Sequence, residues 1–188
     1  MKRKNNKSKY LKLQKEFDFF EYQSYKINVE NSSINLEFNF NLSNKYFFNP
    51  KIRISLPEKP DQLKISSGDL NILAFNIGMV ELVSYWKAAC PKKIIIKPHT
   101  LNDQQIKWWR KLYYNGLGEF FYLNSIDVNE NDFLEIKCFG NELESLDMEL
   151  DFTKVIVPVG GGKDSIVSLE VLKSAGIDIY PMMLNPNP

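Results

Sequence analysis

Six consecutive residues carry the plainest chemistry in this chain: Gly160-Gly161-Gly162-Lys163-Asp164-Ser165. Glycines let a backbone approach an anion with no Cβ in the way, and unpaired N–H groups at a helix start point at it. Lys163 adds a full positive charge, and the Ser165 hydroxyl is a further donor. The ligand predicted by these residue types is a phosphate chain. Such a loop must sit between a strand and a helix, and the flanks read that way. Val155-Ile156-Val157-Pro158-Val159 is a continuous apolar run, as in a strand buried on both faces of a parallel sheet. Residues from about Asp164 to Ser174 read as an amphipathic helix, with Ile166, Val167, Leu169, Val171 and Leu172 apolar. Ala175-Gly176 ends it, and Ile177 to Leu184 reads as a second strand. Together they make one βαβ unit.

Two common phosphate loops do not fit. A Walker A loop needs glycine where Val157 stands and Ser or Thr where Asp164 stands. A dinucleotide fingerprint needs a small residue at Ser165 and an acid at the end of the second strand, which reads Met182-Met183-Leu184-Asn185. The segment resembles instead the PP-loop of the ATP pyrophosphatase superfamily, S-G-G-x-D-S. Gly161, Gly162, Asp164 and Ser165 match, and Gly160 replaces the leading Ser. The resemblance implies that Gly160 through Ser165 grip the β- and γ-phosphates of ATP while an acceptor attacks the α-phosphate. Asp164 would act with magnesium or in holding the loop.

The elements upstream differ in kind. Tyr22 to Val29, the turn signal Asn31-Ser32-Ser33, and the alternation of Ile34, Leu36, Phe38 and Phe40 with polar residues predict a hairpin with one wet face. Lys51 to Leu56 predicts a further strand closed by Pro57 and Pro60. A long apolar helix follows Gly68-Asp69 and is stopped by Pro91 after Cys90. Lys93 to Lys97 reads as a short buried strand. Thr100-Leu101-Asn102-Asp103 resembles a capping box with Asp in place of Glu, opening a helix that Asn115-Gly116 ends. Gly118 to Tyr122 reads as another turn of helix, and Phe133 to Phe139 as a strand.

Three segments narrow the resemblance: GMVELVSYWKAAC from Gly78 to Cys90, YNGLGEFFY from Tyr114 to Tyr122, and PVGGGKDS from Pro158 to Ser165. In this order they resemble the UDP-N-acetylmuramoyl-L-alanyl-L-glutamate epimerase family of bacterial peptidoglycan synthesis, over roughly residues 20–188. The resemblance implies a UDP-linked muramoyl dipeptide as substrate, with ATP and magnesium as cofactors. Adenylating the glutamate α-carboxylate would make the Cα proton removable, and its return from the other face would give the D-isomer with release of AMP and diphosphate. Proton transfer needs a general base. Glu119, beside Gly118 in an aromatic-rich turn, is a pocket candidate for it. Glu81, Ser84 and Lys87 form a polar stripe at i, i+3, i+6 that lines a pocket or simply edges the core. His99, before a helix cap, reads as a surface residue. Trp108, Trp109, Tyr113, Tyr114, Phe120 and Phe121 read as core or as a stacking surface for uracil.

The fold class expected is α/β: an α+β N-terminal domain with antiparallel strands and helices, then the first βαβ unit of a Rossmann-like PP-loop domain. The corresponding spans are a basic flexible tail at 1–16, the α+β domain at 17–152 and an incomplete nucleotide-binding domain at 153–188. Composition bounds the rest. At 188 residues, 44% hydrophobic, the chain carries enough apolar material for a core. The first fifteen residues hold seven cations and no acid, leaving 17 cations against 23 acids beyond them. A body that acidic excludes a general nucleic-acid binder. The two cysteines, Cys90 and Cys138, exclude a disulfide framework and suit a reducing cytoplasm. Leu70 to Cys90 is long enough to span a bilayer, yet Glu81 and Lys87 each cost roughly 2.5–3.5 kcal/mol there, so membrane insertion is not expected. One βαβ unit is short of a complete nucleotide fold. We therefore expect a truncated or split chain with little epimerisation alone, and a second polypeptide that completes the domain. The other readings are a different AMP-forming PP-loop ligase or a non-catalytic remnant or subunit.

Overall fold

A strand sends successive side chains to opposite faces, so the alternation from Ile34 to Leu42 commits five apolar groups to one side. All five are buried, Phe38 and Phe40 completely. In the computed structural model, which describes residues 3–56, 65–143 and 153–183, they belong to β2 (Ser33–Leu42). This strand pairs antiparallel with β1 (Phe20–Glu30) through the two-residue turn Asn31-Ser32. The first arm lacks clean alternation for a reason: the register shifts between Tyr22 and Ser24. The bulge at Gln23 moves the inward set from Phe20 and Tyr22 to Tyr25 and Ile27. Two short strands, β3 (Tyr46–Phe48) and β4 (Lys51–Ser55), pair antiparallel with β2. Ser43 and Asn44, at φ of 50° and 57°, make the tight turn into β3. Pro57 and Pro60, expected to close β4, lie outside the described residues, as does Leu184 at the expected end of the last strand.

The other half of the sheet corrects the antiparallel expectation. β5 (Lys93–Ile96) pairs parallel with β1, and β7 (Glu135–Cys138) parallel with β5. The six-stranded sheet is therefore mixed, ordered β3-β2-β1-β5-β7 with β4 also on β2. Parallel neighbours need a crossover, and the long helix α2 (Ser67–Trp86) lies in the connection from β1 to β5. Its buried positions Phe75, Gly78, Met79, Leu82 and Trp86 recur at helical spacing. The Ser66 hydroxyl caps it by accepting from the Asp69 amide at 3.0 Å. The helix stops at Trp86, not at Cys90. Trp86 Nε1 donates to the Pro91 carbonyl at 2.9 Å, and Cys90 takes a φ of 54°. That turn ends the helix four residues before the proline acts.

The basic N-terminal segment, expected as a flexible tail, is helical as α1 (Lys7–Glu16). Tyr10 and Phe17 are buried with Leu13 packed beside them, an i, i+3, i+7 stripe that the charge count conceals. Gln14 Nε2 ties the helix to the Cys90 carbonyl at 2.9 Å. Burial pushes the Cys90 thiol up to about 12. Its contribution to stability is therefore complete below the unfolded thiol range and is lost progressively as pH rises from that range to the folded value. Between about pH 8 and about pH 10.5 the thiol should account for roughly 2–3 kcal/mol of lost stability in urea unfolding, read as the part of the loss that Cys90→Ala removes. The phenols of Tyr10, Tyr22 and Tyr113, also pushed up by burial, supply the remainder.

Helix α3 (Asp103–Gly116) is opened by a capping box, two residues later than expected. Asn102, not Thr100, is the cap, and Gln105 takes the reciprocal place given to Asp103. Tyr113 Oη, buried, donates to the Met79 carbonyl at 2.7 Å and locks α3 to α2. The next helix is α4 (Gly118–Asn124). A small parallel pair, β6 (His99–Thr100) with β8 (Asn141–Glu142), completes this region. Gly140 allows it, because a Cβ there would overlap the backbone of Pro98 and His99.

The chain divides into two compact units, Met1–Leu146 and Asp147–Pro188. The second holds β9 (Lys154–Pro158), α5 (Lys163–Ser174) and β10 (Asp178–Met182). β9 and β10 pair in parallel, from Lys154 opposite Asp178 to Pro158 opposite Met182. Gly176, at φ 70°, ends α5. The expected burial of β9 on both faces is not met. Val157 is buried, whereas Ile156 is 65% exposed, and α5 buries no residue. A single helix cannot cover both faces of a two-stranded sheet. Together the two units are a mixed α/β protein with helices and mixed sheets.

Candidate functional site

The glycine loop is built by the end of β9 and the start of α5. The Val159 amide donates to the Met182 carbonyl at 2.8 Å, so the chain is held to β10 up to the first glycine. Gly161 then turns with φ 80°, a conformation that side chains resist. Gly162 is extended, with φ −87° and ψ 163°, and α5 begins at Lys163. Gly160 and Gly162 are not needed for space. A Cβ at any of the three glycines would meet no heavy atom within 4 Å. The bend is open and exposed. Among the described residues, none of the three glycine amides donates to a backbone carbonyl.

As the N-cap of α5, Gly162 offers no side chain to the first amides, which have no intrahelical acceptor. These amides, the helix dipole and Lys163 make the bend attractive to an anion. Lys163 and Asp164 are exposed and form no ion pair among the described residues. Ser165 departs from the role its hydroxyl suggested. Its Oγ donates to the Gly162 carbonyl at 2.8 Å, so its proton holds the loop in shape. Ser168 similarly donates to the Asp164 carbonyl at 2.9 Å. The structure thus gathers Gly160 through Ser165 around one bend.

Glu119 belongs to the first unit, exposed in the first turn of α4. Within α2, Glu81 is half-buried beside Tyr85, whose phenol is pushed up by burial and then by the Glu81 charge. Ser84 and Lys87 are exposed. His99 is not the surface residue expected. Its Nε2 lies 2.8 Å from Tyr25 Oη, which donates to Asn71 Oδ1 at 2.6 Å. Desolvation holds the imidazole below its ordinary pKa. No spacing signal pointed to this cluster, since its members come from β1, α2 and β6. The aromatic group divides: Trp109, Tyr113 and Phe121 are core, while Trp108 is 56% exposed and lines a cleft of about 620 Å³. Among the described residues no group of three or more His, Cys, Asp or Glu side chains could hold a metal, and no helix is long and apolar enough to cross a membrane.

Comparison with known proteins adds the family. The family model described as the MurL N-terminal domain matches residues 12–188. A Micromonospora protein named UDP-N-acetyl-alpha-D-muramoyl-L-alanyl-L-glutamate epimerase is 32% identical over 140 residues, covering 74% of this chain and 31% of its own length. Proteins of the same name are similar at 34% identity from Salinispora tropica and 33% from Xanthomonas oryzae pv. oryzae. Those matches cover 56% and 51% of this chain, and 22% and 21% of the relatives. The chain thus matches less than a third of the length of these curated relatives. No solved structure matches.

Proposed function

Since this chain belongs to the MurL N-terminal domain family, we propose that it contributes the N-terminal part of a cytoplasmic, ATP-dependent epimerase. The substrate in this reading is UDP-N-acetylmuramoyl-L-alanyl-L-glutamate, whose terminal residue is inverted to D-glutamate for peptidoglycan synthesis. The observation that carries it is the freedom at Gly160 and Gly162. Neither crowding nor a positive φ asks for glycine there, so an approaching ligand gives these two residues their reason. The strand–loop–helix setting supports a Rossmann-like PP-loop unit.

ATP, when bound with magnesium, supplies the AMP group that neutralises the glutamate α-carboxylate and leaves its carbonyl electron-withdrawing. The residues of this chain have narrower tasks. The amides from Gly160 to Asp164 hold phosphate oxygens, and Lys163 adds a charge-assisted hydrogen bond. Asp164 would hold magnesium, a cation that is commonly bound through only one or two protein carboxylates. Ser165 fixes the bend. Glu119 is the proposed proton-transfer group at the glutamate Cα. The exposed Ile156, Val167, Val171 and Tyr180 are the surface on which further polypeptide, of the same chain or a second one, would complete the nucleotide fold.

Equilibrium dialysis with labelled ATP and magnesium tests the reading. Lys163→Ala should weaken binding about tenfold, the loss expected for one charged hydrogen bond. Equal ATP binding by the parent and Lys163→Ala, or none by either, would sink it.

A further inference from the structure

The cleft beside Trp108 has a chemistry of its own. It lies between α2 and the first turns of α3, measures about 620 Å³, and is lined by no charged side chain among the described residues. Asn76, Asn102, Gln104 and Gln105 contribute carboxamides, and Phe75 and Trp108 contribute aromatic surface. Trp108 packs edge-to-face on the buried Trp109, with ring centroids 4.9 Å apart, and is otherwise open. An indole steadied by a core neighbour is a ready platform for a planar ring.

The carboxamides are already oriented, and what they have left over is specific. Asn102 Oδ1 accepts from the Gln105 amide at 2.9 Å, and Gln105 Oε1 accepts from the Asn102 amide at 2.9 Å. Both side chains therefore spend their oxygens on the capping box and keep NH₂ donors. Asn76 is the reverse. Its Nδ2 donates to the Ile72 carbonyl at 2.7 Å, leaving Oδ1 as an acceptor. The capping box also satisfies amides at the start of α3, so this is no anion site. Two sets of donors and one acceptor beside an aromatic face suit a neutral planar ring that carries both carbonyl acceptors and an N–H donor.

We propose that this cleft binds a uracil ring, stacked on Trp108 and read at its imide edge by Asn76, Asn102 and Gln105. The uridine end of a nucleotide-linked substrate is its source, and in that choice the inference rests on the epimerase reading. The cleft takes the neutral base; the phosphate-binding work belongs elsewhere.

The test is titration of the purified chain with uridine, followed by the indole N–H signals of its tryptophans in ¹H–¹⁵N spectra. Uridine should move the Trp108 signal saturably, while cytidine and adenosine, which present different edges, should bind at least about tenfold more weakly. Trp108→Ala should lose about tenfold or more in uridine affinity, and Trp108→Phe should retain most of it. Absence of uridine binding, equal response to the three nucleosides, or unchanged affinity in Trp108→Ala overturns the proposal. ATP binding at the glycine loop is measured separately. Its absence with uridine bound defeats the epimerase reading and leaves the cleft standing; ATP bound with uridine excluded defeats the cleft alone.

Discussion

Gly162→Asp should leave the protein as stable as the parent while weakening ATP binding about a hundredfold. Gly162 is the N-cap of α5, in an extended conformation open to any residue, with nothing within 4 Å of a Cβ. Aspartate is among the favoured caps, and exchanging it with glycine at this position changes stability by only a few tenths of a kcal/mol. Its carboxylate would accept from the amide of Asp164 or Ser165, which the phosphates would otherwise use. It would also set a negative charge where a polyphosphate must come. Losing charged hydrogen bonds worth about 3 kcal/mol corresponds to roughly a hundredfold in affinity. Urea denaturation gives the stability and equilibrium dialysis the affinity. A parallel fall in both would mean that the glycine serves the fold, and unchanged ATP binding would mean that the bend holds no phosphate.

The largest effect on stability should come from Gly78→Ala. Gly78 faces the sheet from α2, and a Cβ there would overlap the Tyr22 hydroxyl and crowd the Phe38 ring, both fully buried. Alanine is the better helix former, so propensity alone would make the change stabilising by about 1 kcal/mol. Overpacking should prevail, with a net loss of about 2–3 kcal/mol in urea unfolding. Tyr22 offers an internal control. Its hydroxyl is buried with no hydrogen-bond partner among the described residues, so Tyr22→Phe should stabilise by about 1 kcal/mol. The same substitution removes the first atom that the new methyl group meets. Tyr22→Phe should therefore recover more in the Gly78→Ala background than in the parent, a coupling of about 1 kcal/mol. Strict additivity would show that the helix simply shifts away.

What can be read along the chain here is whatever one segment encodes in its own spacing. The alternation of Ile34, Leu36, Phe38 and Phe40 yields the inward face of β2 without reference to any partner. The apolar run, three glycines and apolar periodicity around Lys163 place a phosphate-type loop between β9 and α5, and the helix starts one residue from where the pattern puts it. Capping is nearly legible too. Thr100 and Asn102 are both acceptable caps, and the choice falls to Asn102 because Gln105 stands three residues on and answers its amide.

Convergence is of another kind. The bulge at Gln23 exists because β1 must match β2, and it reverses which side chains of β1 face the core. Whether Trp108 or its neighbour Trp109 is buried depends on which side of α3 meets α2, and both residues have the same composition and propensity. Tyr25, Asn71 and His99 meet although Asn71 and His99 lie 46 and 74 positions beyond Tyr25, and nothing in their own surroundings along the chain records it. Periodicity and capping act over a few residues, so their free energies are written locally. Strand order, helix rotation and the meeting of remote polar groups minimise a packing free energy shared by the whole first unit, and it takes a fold to evaluate that.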